Sequence, residues 1–133
     1  MCKIGDIIVV DKYKKDGLEI KNHSFIVLSD KDGKIQGLDY NIIGLVMSSF
    51  KDDKQKEKKL KYPGNYPVAF EKQNIKDGGN GKDGFVKTEQ FFYFNKDKIE
   101  FRVIGTIDLE IFNLIILYIE ELKIKIDRIV DNL

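Results

Sequence analysis

The chain reads as a mainly β protein, a small antiparallel sheet or barrel followed by a helix. Three observations give that class. Short β-branched and aromatic runs recur from Ile7 to Thr106 with turn residues between them. No helices alternate with those runs as a βαβ fold requires. After Thr106 the hydrophobic residues recur every three or four positions instead of every one or two. At 133 residues the chain is predicted to be one domain, 1–133, long enough for a single core.

Gly5 precedes Ile7, Ile8, Val9 and Val10, a run with strand character. Gly17 supplies a turn, and HSFIVLSD forms a second strand closed by the Gly33 turn in DKDGK. Ile42 to Met47 suits a third strand, so the first half has the pattern of a meander. FKDDKQKEKKLK carries six lysines against three acids, too much charge for a core strand; it is a loop or a short exposed helix ended by Pro63 and Gly64. NYPVAF is a brief strand, and EKQNIKDGGNGKDG, with four glycines within seven residues, reads as a flexible connection. FVKTEQFFYF and KIEFRVIGTI resume β character, with NKDK expected as the hairpin turn between them.

A helix is predicted over 107–131, because Phe112, Ile115, Ile119, Leu122, Ile126, Ile129 and Leu133 step by three and four. Asp108 and Glu110 suit its start. Ile111, Leu114, Ile116, Leu117 and Tyr118 make its front half apolar on most sides, so it needs a second surface, either a groove in the chain or another subunit.

Net charge is +1, from 23 basic and 22 acidic side chains, so no global field draws the chain to nucleic acid or an anionic membrane. Cys2 is the sole cysteine, which excludes an internal disulfide framework and any multi-cysteine metal site. A reducing cytoplasm is the expected compartment. The amino terminus lacks the pattern of a secretory signal, and the apolar stretch 111–119 spans nine residues, against roughly 20 for a membrane helix, so a soluble protein is expected.

Several residues invite a chemical reading, and each has a structural alternative. Gly79, Gly81 and Gly84 spell G-x-G-x-x-G, but a strand follows where a dinucleotide site needs a helix, so a loop is the expectation. The lysines from Lys51 to Lys61 are either phosphate contacts or a solvated connection. His23, the only histidine, has an ordinary pKa suited to acid or base work near neutrality, or it is a strand-end residue bonded to the backbone; alone it cannot hold a metal. On a strand, Lys87 and Glu89 share one face and Val86, Thr88 and Gln90 the other, so the first pair is either a phosphate-stabilising cation beside a proton carrier or an exposed ion pair. Ser48 and Ser49 are phosphate donors or strand caps.

The ordered set GDIIVV, HSFIVLSD, VMSSFK, YPGNYPV, DGFVKTEQ and RVIGTIDLEIFNLIILYI, from Gly5 to about Leu122, resembles the PemK/MazF family of toxins from toxin–antitoxin systems. The resemblance implies an SH3-like antiparallel β-barrel, 3–106, with a long C-terminal α-helix, 107–131. It implies a homodimer through barrel and helix, a small antitoxin protein as partner, no cofactor, and metal-independent cleavage of single-stranded RNA. By position, Ser48 stands for the family's strand-end Thr, Lys87 and Glu89 for the cation and acid of its R-x-D-Q strand, with Gln90 retained. Glu89 and His23 are the implied proton carriers, with Lys87 and Lys21 stabilising the phosphate that Ser48 orients. Ser24, Ser49, Lys51 and Gln90 complete the expected RNA contacts. The departure is at Ser24–Phe25, where the family has Arg–Pro; a hydroxyl does not replace a bidentate guanidinium, so the same fold without catalysis is the alternative.

Overall fold

The computed structural model describes residues 2–76, 78, 79 and 81–133. Asp77 and Asn80, which belong to the glycine-rich connection and its G-x-G-x-x-G pattern, lie with Met1 outside the described residues. Among the described residues the order is β1 (Asp6–Lys15), β2 (Leu18–Ser29), β3 (Gly33–Ile35), β4 (Leu38–Tyr40), β5 (Ile42–Ser49), α1 (Asp53–Leu60), β6 (Asn65–Val68), β7 (Gly84–Lys87), β8 (Gln90–Phe94), β9 (Phe101–Thr106), α2 (Leu109–Glu121) and β10 (Asp127–Ile129). The mainly β class is therefore as the sequence predicts. No helix among the described residues is long and apolar enough to cross a membrane.

The main sheet runs β10–β8–β5–β2–β1–β9, with β7 pairing the far end of β5 and β6 pairing β7. Its ladders are antiparallel except β10 on β8, which is parallel. Consecutive apolar residues on the central strands serve opposite sides. Ile8, Val10, Phe25, Val27 and Val46 enter a cluster with Tyr13, Phe92 and Phe94. Ile7, Ile26, Leu45 and Met47 enter another with Ile104, Phe112 and Ile115, the last two from α2. Two-sided burial is why the runs IIVV and FIVL read as unbroken hydrophobic stretches.

The ladder between β1 and β2 is interrupted beside the sequence's most unusual stretch. Asn22 has φ of 51°, and no Asp11–Asn22 rung lies between Val10–His23 and Lys12–Lys21. Left-handed backbone is least costly for Asn among non-glycine residues. Because of this irregularity Val10 and Tyr13, three apart, both reach the first cluster.

Four expectations are corrected. The C-terminal helix ends at Glu121, and 122–131 is not helical: Leu122, Ile124 and Ile126 are half-buried between exposed Lys123, Lys125 and Asp127, a period of two, and Asp127 N–H donates to the Glu89 carbonyl at 2.7 Å. NKDK is not a hairpin turn, because β8 pairs β5 and β10 whereas β9 pairs β1; Lys96–Lys98 form a 3₁₀ turn that carries the chain between opposite edges. FVKTEQFFYF is two strands, broken where Thr88 donates from both its N–H and its hydroxyl to the Gly64 carbonyl, at 2.9 and 2.6 Å. Gly33 does not close the second strand as a turn; it opens β3 of a separate two-stranded hairpin.

The lysine run does form a short exposed helix, α1. Asp52 Oδ1 accepts from Gln55 N–H at 2.7 Å, and Gln55 Oε1 accepts from Lys51 N–H at 2.5 Å, a reciprocal cap.

Phe25 sits at the centre of the first cluster, fully buried, with its ring edge-on to Tyr13, Phe92 and Phe94 at centroid distances of 5.0, 5.1 and 5.2 Å. Phe25→Ala is expected to lower unfolding free energy by about 3–5 kcal/mol, read from urea denaturation.

Candidate functional site

Where the two-sided core ends, β2 and β5 present polar residues instead of apolar ones. They open on a cavity of about 480 Å³ lined by Asn22, His23 and Ser24 of β2, Ser48 and Ser49 of β5, and Gln73 and Lys82 of the connection, with Val9, Met47, Ile75 and Ile104 at its base. The connection is held over β9 by an Ile75–Gly105 bridge and by Lys76 N–H donating to the Ile104 carbonyl at 2.7 Å. Gly84 forms part of the wall. A Cβ there would stand 2.3 Å from the Ser48 carbonyl oxygen, so the close approach of β7 to β5 requires glycine. That, rather than phosphate binding at a helix start, accounts for the last glycine of the G-x-G-x-x-G pattern.

His23 is half-buried, with its ring edge-on to Tyr13 at 5.9 Å, and its Nδ1 is enclosed without a hydrogen-bond partner. Burial pushes its pKa below 6.5, the Lys21 backbone opposes that shift, and the Lys87 ammonium adds to it. The shift favours the neutral imidazole.

The expected residues divide into groups. His23, Ser24, Ser48 and Ser49 gather around the cavity. Lys87 and Glu89 are not among its lining residues, since the turn at Thr88 breaks the shared strand face that the sequence suggests. Lys87 is half-buried, and burial first, then Lys15, then Lys59 push its pKa down while Glu89 opposes them. Glu89 is 6 % exposed; its carboxylate lies against Gly64 and one oxygen, Oε2, has no partner. Lys21 is exposed opposite Lys12, Lys51 is exposed at the start of α1, and Gln90 pairs with Asp127; none of the three lines the cavity.

Sequence reasoning missed Asn22, Gln73 and Lys82, which reach the cavity through backbone irregularity and loop placement. Arg102, one of two arginines in the chain, continues the cross-strand row Ser24–Val9–Arg102 but is not among the lining residues. Side chains opposite each other across a ladder share a face, so register alone would reveal that row. Among the described residues, no group of three His, Cys, Asp or Glu side chains is arranged to hold a metal ion. No model of a known protein family matches the chain, and no curated protein sequence matches it significantly.

The lowered pKa of His23 has a consequence for stability. The unfolded chain, with His near 6.5, binds more protons than the folded chain between the two values. The contribution is thus complete above the unfolded value and declines as pH falls toward the folded one. Between about pH 7.5 and 5.5 the urea midpoint of the parent should fall further than that of His23→Gln, and parallel curves would contradict the shift.

Proposed function

We propose that the chain is an endoribonuclease of the PemK/MazF type, cleaving single-stranded RNA on an SH3-like barrel. The observation that carries this reading is the unpartnered Nδ1 of His23, a neutral imidazole at the wall of a cavity that also presents the hydroxyls of Ser24, Ser48 and Ser49. β9 returns beside β1 after a meander through β1, β2, β5 and β8, an order that suits the barrel assignment, while the path from β10 to β9 leaves the sheet unclosed.

In this reading a backbone phosphate enters the cavity. Ser48 donates a hydrogen bond to a phosphate oxygen, and Lys82 offsets charge that grows as the reaction proceeds. The ribose 2′-hydroxyl gives its proton to His23 and its oxygen bonds to phosphorus. The bond from phosphorus to the 5′ oxygen breaks, that oxygen takes a proton from water, and the products are a 2′,3′-cyclic phosphate and a 5′-hydroxyl. Unpaired RNA is the substrate because its 2′-hydroxyl is free to reach the in-line geometry. Arg102 is in the cross-strand row with Ser24 but, like Lys87 and Glu89, is not among the residues that line the cavity, and it has no part in this scheme. Glu89, buried outside the cavity lining, does not carry a proton in this scheme.

One observation favours a second reading, a binding module for nucleic acid or protein without catalysis. Lys87 and Glu89, the cation and acid implied by the resemblance, both stand outside the cavity lining. The toxin reading extends to a homodimer and a small antitoxin in the cytoplasm. Exposed Leu109, Leu114 and Leu117 on α2 are consistent with a partner surface.

Incubation with mixed-sequence single-stranded RNA in chelator separates the readings. Cleavage to cyclic-phosphate ends is expected, with His23→Gln slower by about 10²–10⁴-fold and Ser48→Ala by up to about tenfold. Binding without cleavage would establish the module instead, and neither binding nor cleavage would sink both.

A further inference from the structure

We propose that a second cavity, between α1, β6 and the connection, is a guanine subsite in which Asp83 reads the Watson–Crick edge of a base next to the phosphate at Ser48. The proposal rests on the RNA-binding reading above and deepens it by naming the base that the site selects.

This second cavity holds about 310 Å³, and Gly84 lines both it and the cavity at His23. The two are therefore neighbours. Gly84 pairs with Ser49, and just past that rung the Phe50 N–H donates to the Asp83 carbonyl at 3.2 Å, which sets Phe50 and Asp83 side by side. Ser48 and Phe50 are two residues apart along the chain, roughly 7 Å where it is extended. That is the order of separation between an RNA phosphate and the base of its own nucleotide.

The lining combines an apolar floor with a few fixed polar groups. Phe50, whose ring stacks on Phe85 at a centroid distance of 5.1 Å, and Pro67, the cross-strand partner of Phe85, offer a surface to a flat ring. The Lys56 ammonium from α1 stands 5.7 Å from the Phe50 ring centroid. Asp83 Oδ1 accepts from Phe70 N–H at 2.8 Å, which orients the carboxylate and leaves it lone pairs for further donors. Lys72 ends the same turn, Phe70–Lys72, and its carbonyl takes the Asp108 N–H at 2.8 Å, so its backbone is anchored to the start of α2. Neither lysine forms a salt bridge with Asp83 among the described residues.

This set matches guanine and no other RNA base. Guanine places N1–H and the N2 amino group side by side, so one carboxylate accepts from both, while O6 accepts from a lysine ammonium. Adenine presents a bare N1 to the same carboxylate, lone pair against lone pair. Uracil and cytosine each bring a single donor group.

The test uses short 2′-fluoro single-stranded RNAs, which lack the attacking hydroxyl and stay intact, with G, A, C or U at one central position of an otherwise all-uridine sequence. Affinity for each is measured at one fixed salt concentration with the parent, Asp83→Asn and Lys72→Ala. The parent should bind the G oligonucleotide roughly tenfold more tightly than the A oligonucleotide. In Asp83→Asn the amide oxygen can still accept from Phe70 N–H, but its NH₂ meets the guanine donors, so the G-to-A ratio should fall to within about twofold of one. Lys72→Ala, which keeps the backbone bonds of an exposed residue, should narrow the same ratio. Equal affinity of the parent for G and A, or preference for another base, would overturn the subsite while leaving the RNA reading intact. A parent-like ratio in both variants would overturn it as well. Failure of the parent to bind any of the RNAs would overturn this subsite and the RNA reading together.

Discussion

Burial of β1, β2 and β5 on both faces is the constraint from which the rest of the structure follows. A strand covered on one side alternates apolar and polar residues; these strands cannot where both sides are covered, and the buried apolar residues there enter one cluster or the other. Polar chemistry is thereby driven beyond the doubly covered stretches. Asn22, His23 and Ser24 on β2, and Ser48 and Ser49 on β5, are where the runs FIVL and IIGLVM stop being enclosed. The cavity is a consequence of where the two-sided core runs out.

The same constraint explains α2 and the connection. The cluster containing Ile7, Ile26 and Leu45 needs a cover, and Phe112 and Ile115 provide it. Asp108 caps that helix by accepting from Ile111 N–H, and Asp108 N–H in turn donates to the Lys72 carbonyl at 2.8 Å. The helix start and the connection's entry are thus tied to each other. At its other end the Tyr118 hydroxyl donates to the Pro63 carbonyl, which draws the helix toward the turn that also receives Thr88. Packing on one side of the sheet therefore positions the connection that lines the cavity.

What the sequence made legible was local. The strand runs around Ile7–Val10, Phe25–Leu28 and Ile42–Met47, and the charged lysine run kept out of the core, announce themselves through neighbours in the chain; that the run is a helix capped by Asp52 the sequence left open. What it concealed depends on distant partners. Thr88 breaks a continuous β-like run only because Gly64 offers a carbonyl 24 residues away. Ile126 belongs both to the helical series Leu122, Ile126, Ile129 and to the alternating series Leu122, Ile124, Ile126; the extended course, with the parallel pairing of Asp127–Ile129 on β8, follows the second. The site divides the same way. Ser48 and Ser49 were visible because they end a strand, and His23 and Ser24 because they precede the apolar run FIVL, although β2 begins earlier, at Leu18, and holds them in its middle; Gln73 and Lys82 reach the cavity through a connection whose course no local rule gives.

The central claim is that the polar residues around His23 on β2 and at the end of β5 form a surface for single-stranded RNA. Titrating the ¹⁵N-labelled protein with a 2′-fluoro single-stranded RNA, which lacks the attacking hydroxyl and stays intact, and following backbone amide shifts tests it directly. Saturable changes should concentrate at Asn22–Ser24, Ser48–Ser49 and the residues of the connection that line the cavity. Absence of saturable changes, or changes confined to the Leu109–Leu117 face of α2, would contradict it.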